Sequence, residues 1–318
     1  MKTALVTGGT GFIGRALTDR LESEGWRVRI ATRNLSRKAR NAELARVDYS
    51  DMNSLVSAVE GCDAVFHLAA AIFAVSREQF EKANARATEN LARACALASK
   101  KPDSFVYVSS LAAAGPSRDP QTARTEAEGE NPVSDYGKTK LAGERALALL
   151  PTQTRRVVLR PAIVYGRNDS GISKIAQWVR RGLMVNMCAG ETFFSFTYIA
   201  DLVDAVITAE KNPALSGKTY FICGDKTYPW TYFIAELAKA MGKKPPLMLT
   251  LSPGLLRAVG RIYETIAPVF GAEPAFNTDK AREACAGHWI ASPRKWMQDT
   301  GRATWTPLEE GIRRTFAG

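Results

Sequence analysis

Short apolar runs alternate along the chain with longer stretches in which apolar residues recur every three or four positions. Thr3–Thr7, Val28–Thr32, Ala64–Leu68, Phe105–Ser109 and Val157–Leu159 are short apolar runs rich in β-branched or aromatic residues. That is the pattern of strands buried on both faces. Ile13, Leu17 and Leu21, and later Leu91, Cys95 and Ala98, keep helical spacing between those runs. Strand–helix alternation predicts an α/β fold, a doubly wound parallel sheet with its ligand at the carboxyl ends of the strands. Beyond Gly166 the regularity fades and Pro, Gly and Trp become frequent, as at Pro229-Trp230, Pro245-Pro246 and Pro253-Gly254. The shift predicts a first domain over residues 1–166, to which 191–224, with Phe193–Asp201 inside it, return. A smaller, mostly helical C-terminal lobe takes 167–190 and 225–318, with helices near Tyr232–Met241 and Gly254–Ile266.

With 46% hydrophobic and 24% charged residues among 318, the composition is that of a globular protein, which excludes a disordered chain. Cys62, Cys95, Cys188, Cys223 and Cys285 lie far apart without a CxxC pair and are read as buried apolar residues. With only His67 and His288 beside them, no metal site and no disulfide scaffold is expected, and a reducing compartment is. His67 reads as a core or backbone-orienting residue, and His288-Trp289 as a packed segment of the small lobe. Met1-Lys2 leads directly into the first strand, so no signal peptide is expected. No stretch reaches the roughly 18 apolar residues of a membrane span, and the expected location is the cytoplasm. The net charge of +11 would suit nucleic acid, a membrane surface or a phosphorylated ligand. Arg27–Arg46 holds seven basic residues against one acid, Glu43, so over half of the excess lies in one segment. That concentration suits a small ligand's phosphate and speaks against nucleic acid.

The segment Thr7-Gly8-Gly9-Thr10-Gly11-Phe12-Ile13-Gly14 follows the first strand and opens a helix. Glycines at 8, 11 and 14 permit a tight turn and close approach of the backbone to a pyrophosphate at the helix N-terminus. The predicted first domain is therefore Rossmann-like and binds a dinucleotide. At the end of the second strand an acid would hold the adenosine ribose diol, but the chain reads Ala31-Thr32-Arg33-Asn34, with Arg37 and Lys38 close behind. Arginine stacks on adenine and matches a 2′-phosphate, so NADP(H) is expected in preference to NAD(H).

These motifs and others in the same order resemble the extended short-chain dehydrogenase/reductase family, also called the NAD-dependent epimerase/dehydratase family. Gly8–Gly14 are similar to its opening fingerprint, with Thr10, Phe12 and Ile13 at the cofactor. Asp48-Tyr49 match the pair that flanks adenine, and His67-Leu68-Ala69-Ala70 match its H-x-A-A segment. Asn84 falls where the family has an active-site asparagine. Tyr136-Gly137-Lys138-Thr139-Lys140 match Y-x-x-x-K. Arg160-Pro161-Ala162-Ile163-Val164-Tyr165-Gly166 match R-P-x-x-V-Y-G, placing Pro161 and Ile163 beside the cofactor. The resemblance implies a catalytic set of Tyr136, Lys140, Ser110 and Asn84, with Ser109 at the cofactor and as the alternative to Ser110. It also implies a homodimer through the helices bearing Tyr136 and Asn84–Ala98.

Tyr136 and Lys140 lie one helical turn apart. A phenol near pKa 10 is a poor base at neutral pH, and an adjacent ammonium is expected to lower it. Lys140 would also hold the nicotinamide ribose, as family counterparts do. The family's nucleotide-sugar members carry Asn at the position of Ile163 and tend to carry Arg at that of Phe194. Both polar anchors are apolar here. Phe193, Phe194 and Phe196, with Ile72 and Leu111, are expected to line an apolar pocket. The expected function is a hydride-transferring NADP(H)-dependent oxidoreductase acting on a ketone, aldehyde or alcohol of a hydrophobic small molecule. The alternatives are a sugar or nucleotide-sugar epimerase on a bound nicotinamide cofactor, and a non-catalytic NADP-binding module. Leu247–Phe270 is largely apolar and reads as a helix of the small lobe covering the pocket, or as a membrane-surface contact.

Overall fold

The computed structural model describes residues 1–36, 41–187, 190–266 and 277–317. The chain runs β1 (Thr3–Thr7), α1 (Phe12–Ser23), β2 (Arg27–Thr32), β3 (Glu43–Arg46), α2 (Met52–Val59), β4 (Ala64–His67), α3 (Arg77–Phe80), α4 (Ala87–Leu97), β5 (Ser104–Val108), α5 (Leu111–Ala114), α6 (Asp135–Ala146) and β6 (Arg155–Pro161). It continues through β7 (Ile163–Tyr165), α7 (Ser170–Arg180), β8 (Leu183–Met187), β9 (Phe193–Tyr198), α8 (Ile199–Lys211), β10 (Thr219–Ile222), β11 (Thr227–Pro229) and α9 (Trp230–Ala240). Last come β12 (Leu247–Leu251), α10 (Pro253–Ile266), α11 (Thr278–Ala284), α12 (Arg294–Thr300) and α13 (Leu308–Phe316).

Seven strands form one parallel sheet in the order β10-β6-β5-β4-β1-β2-β3. Successive side chains of a strand point to opposite faces. Ala4, Val6, Phe66 and Leu159 therefore pack under α1 and α8 on one face. Leu5, Val65, Phe105 and Val158 pack against α2 and α4 on the other. Because every strand runs the same way, Thr7, Thr32, His67 and Val108 all end at one edge of the sheet. This is the Rossmann-like doubly wound fold that the strand–helix alternation predicts.

Three placements differ from the sequence reading. β3, Glu-Leu-Ala-Arg, has charged ends and only two apolar residues, too little pattern to read, and forms the far edge beside β2. Of the stretch expected to return to the first domain, α8 and β10 join its core and sheet, whereas Phe193–Tyr198 does not pair with that sheet. It forms β9, parallel to β7 and antiparallel to β11, because β10 already occupies the free edge of β6. Trp296 and Trp305, in the stretch assigned to the small lobe, are buried in the same cluster as β1 and β6. Cys62, Cys95 and Cys223 are buried and Cys285 is half-buried, while Cys188 lies outside the described residues. Among the described residues no helix is long and apolar enough to cross a membrane.

Trp296 is 1% exposed, with its ring edge-on to Tyr220 at 5.2 Å. Trp296→Ala should lower unfolding free energy in urea by about 3–5 kcal/mol. A loss below about 1 kcal/mol would show that α12 is not part of the main core.

Candidate active site

The glycine loop is tight because its own backbone fills it. The Gly11 N–H donates to the Gly8 carbonyl at 2.9 Å, and Gly8 sits at φ +69°. A Cβ on Gly14 would lie 2.1 Å from the Gly8 oxygen, and one on Gly8 would lie 2.9 Å from the Ala69 nitrogen. α1 starts at Gly11 with no side chain capping its first turn. A small backbone cradle at an uncapped helix N-terminus fits a dinucleotide pyrophosphate. It would be held by the backbone of Thr10, Gly11, Phe12 and Ile13.

The Thr7 hydroxyl accepts the Leu68 and Ala69 N–H groups, each at 3.1 Å, and meets His67 Nδ1 at 2.6 Å. His67 Nε2 meets the Thr88 hydroxyl at 2.9 Å, and that hydroxyl donates to the Asn84 carbonyl at 2.6 Å. With Thr88's proton committed there, His67 donates from Nε2 and accepts from Thr7 at Nδ1. Burial and the Lys140 charge push the imidazole down to about 3. His67 is thus the backbone-orienting residue expected from the sequence. Ala70 continues the same loop at half-burial.

At the far side of the cradle, Arg33 follows β2 and is exposed. Its charge acts on both Asp48 and Tyr49. Asp48 accepts the Ser50 N–H and hydroxyl at 2.8 and 2.6 Å, which lowers its pKa. Burial raises the Tyr49 phenol to about 12. Arg37 and Lys38 lie outside the described residues.

α6 opens at Ser134, whose hydroxyl accepts the Gly137 N–H at 2.9 Å, and carries Tyr136 and Lys140 inward. Burial raises Tyr136 to about 12, opposed by the neighbouring Ser110 hydroxyl. Ser110 also caps α5 through the Ala112 N–H at 3.1 Å. Ser109 turns away and donates to Glu144 at 2.5 Å, so the structure brings Ser110 rather than Ser109 to the tyrosine. Lys140 donates to the Val108 carbonyl at 2.9 Å and lies 4.2 Å from the Tyr107 ring centroid. Burial lowers its pKa to about 7. The expected lowering of Tyr136 by Lys140 is therefore not what governs it. Desolvation does, and it acts on both groups against charge.

Asn84 is buried in a π-helical turn over Glu81–Arg86. Its amide accepts the Ala71 N–H at 2.8 Å and donates to the Ala71 carbonyl at 3.1 Å and the Thr139 hydroxyl at 3.2 Å. With its amide engaged in this way, it ties the loop after β4 to α6.

Tyr136 belongs to an apolar cluster with Phe80, Leu111 and Trp289, and Phe194 packs against it. Ile72 is exposed beyond Ala71, and Phe193 lies 5.7 Å from the His288 ring. Phe196 is not a pocket wall. Its register on β9 places it opposite Ile163, and it stacks on Phe233 at 4.6 Å in a separate core. Ile163 packs against that core as well, and Pro161 is buried at the end of β6. Sequence reasoning missed Phe80, Asp279 and Lys280 around Tyr136. The last two stand 143 and 144 positions away, with no local pattern linking them to it. Among the described residues no group of His, Cys, Asp and Glu could hold a metal ion.

Fold and loop define an α/β protein with a dinucleotide cradle at one edge of its parallel sheet. Residues 4–223 match the NAD dependent epimerase/dehydratase family, and the chain belongs to it. It is 28% identical over 327 residues to the 2-alkyl-3-oxoalkanoate reductase of Stenotrophomonas maltophilia, covering 98% of each. It is 26% identical over 318 residues to the ceramide reductase of Caulobacter vibrioides, covering 98% of this chain and 89% of that protein. The structure of MoeE5 in complex with UDP-glucuronic acid and NAD aligns with a TM-score of 0.77 at 24% identity, over 99% of this chain and 97% of that one. At family level this is a nicotinamide-dinucleotide-dependent oxidoreductase or epimerase.

His67 supplies a pH test of the site. Its folded pKa of about 3 lies below the ordinary 6.5, so between these values the unfolded chain binds more protons. Its contribution is complete above about pH 6.5 and is lost as pH falls. From pH 7 to pH 5 the wild type should lose about 2 kcal/mol more stability than His67→Gln. Parallel losses in urea titrations at the two pH values would exclude a buried neutral imidazole.

Proposed function

We propose that the protein is an NADP(H)-dependent oxidoreductase that interconverts a ketone or aldehyde and an alcohol on a hydrophobic small molecule. The observation that carries this reading is the buried Tyr136 phenol, with the Ser110 hydroxyl near enough to act on its proton affinity, among the side chains of Phe80, Leu111, Phe194 and Trp289. A phenol held at about 12 remains protonated at neutral pH and can give its proton to a substrate oxygen. Ser110 orients that oxygen. Lys140, pushed to about 7, exchanges charge near neutrality and holds the nicotinamide ribose. The bound cofactor supplies or accepts the hydride.

The NADP(H) preference rests on this chain's own residues. Arg33 follows β2 where an acid would hold the ribose diol, with Arg37 and Lys38 next along the sequence, and an arginine at that position pairs with a 2′-phosphate. Relatives named for 2-alkyl-3-oxoalkanoates and ceramide support a hydrophobic carbonyl substrate. The family name and the UDP-glucuronic acid bound by MoeE5 favour a second reading, an epimerase.

Nicotinamide absorbance with a panel of hydrophobic ketones and nucleotide sugars separates the two. A reductase consumes NADPH mole for mole, whereas an epimerase turns over with no net change. Tyr136→Phe should cut turnover by at least about 100-fold while leaving the NADPH dissociation constant nearly unchanged. Retained turnover would remove Tyr136 from the chemistry. NADPH should bind at least about tenfold more tightly than NADH, and equal or tighter NADH binding would overturn the cofactor assignment.

A further inference from the structure

The N-terminus of α6 is completed by a helix far away in sequence. The first N–H groups of a helix have no partner within it, and a cap residue usually satisfies them from its own side chain. On α6, Ser134 satisfies only Gly137. The Asp135 N–H donates to Asp279 Oδ1 at 2.7 Å and the Tyr136 N–H to Asp279 Oδ2 at 3.2 Å, so one carboxylate from α11 takes both. Asp279 is 7% exposed, and a buried carboxylate against a helix N-terminus also complements the helix dipole.

The next residue holds the tyrosine from another side. The Lys280 ammonium lies 4.6 Å from the Tyr136 ring centroid and 5.8 Å from that of Phe73, a cation–aromatic contact. Glu283 fixes that ammonium at 2.5 Å and accepts the Ser134 hydroxyl at 2.5 Å. α11 is itself anchored to the pocket rim. Asn277 caps it through the Lys280 N–H at 2.8 Å and donates to the Ala74 carbonyl at 2.9 Å, in the loop that Asn84 holds at Ala71. Tyr136 is thus gripped at its backbone and on its ring by two consecutive residues that carry no part of the cofactor cradle.

We infer that Asp279 is a positioning residue for Tyr136, and that α11 is the element of the C-terminal region that sets the tyrosine in place against Ser110. The inference rests on the proposed role of Tyr136, but its first test does not require turnover. Amide hydrogen exchange of the intact chain, read by mass spectrometry, compares Asp279→Ala and Asp279→Asn with the wild type. In Asp279→Ala the peptide covering 134–140 should exchange about tenfold faster or more, with the main sheet and the NADPH dissociation constant unchanged. Asp279→Asn keeps one accepting oxygen and sets an NH2 donor against the other N–H, so its exchange should fall between those of Asp279→Ala and the wild type. With a substrate from the ketone panel, Asp279→Ala should lower kcat by at least about tenfold at nearly constant KM, and Asp279→Asn should lower it by less. Unchanged exchange at 134–140 in Asp279→Ala, or acceleration spread evenly over the sheet, would each overturn the inference. A failed reductase assay beside localised exchange would reject the proposed reaction and leave the positioning role standing.

Discussion

One threonine hydroxyl holds together the edge on which the nucleotide site is built. Thr7 ends β1, and its oxygen takes the two N–H groups with which the chain leaves β4 while giving its proton to His67. That knot sets the separation between the glycine loop and Leu68–Ala69, where only a glycine fits at position 8. It also requires a neutral imidazole, because a second ring proton would confront the hydroxyl's own. Burial enforces the neutral form. Through Thr88 and the Asn84 carbonyl the same chain of hydrogen bonds runs from the cofactor edge to the helix turn that steadies α6.

α6 is then the axis of the chemistry, and it is held along its whole length. At its start are Ser134 and the α11 carboxylates. In the middle, the Thr139 hydroxyl receives the Asn84 amide. Further on, Glu144 forms a two-point pair with the buried Arg160 of β6 at 2.9 and 2.6 Å, and Ser109 and Glu130 complete the set. Such a pair is a poor source of stability relative to apolar packing but constrains geometry closely. The outcome is a tyrosine and a lysine displaced in opposite directions from their ordinary proton affinities by one cause, desolvation.

Much of this was legible in the chain. The continuous apolar runs and the helical spacing of Leu17 and Leu21 correspond to β1, β4, β5, β6 and α1, because a strand buried on both faces can carry little else. The glycine loop and the Y-x-x-x-K spacing were legible because their chemistry is local, a turn and a helix face. Phe196 was misjudged because a phenylalanine in β9 has the same composition whether it faces a pocket or Phe233. The choice between Ser109 and Ser110 depended on which way adjacent side chains leave β5, and Glu144 took the first.

By itself, then, the sequence determined what depends on neighbours within about one turn or one strand. That covers the parallel α/β order, the phosphate cradle, the basic end of β2 and the spacing of Tyr136 and Lys140. Only the tertiary structure decided what depends on residues far apart in the chain. Trp296 belongs to the core of the first sheet, Asn84 joins the loop after β4 to α6, and Asp279 caps the helix of the tyrosine. The direction in which Tyr136 and Lys140 are displaced belongs here too. A charge one turn away is visible in the spacing, whereas the water excluded around both groups is set by side chains that only folding brings together.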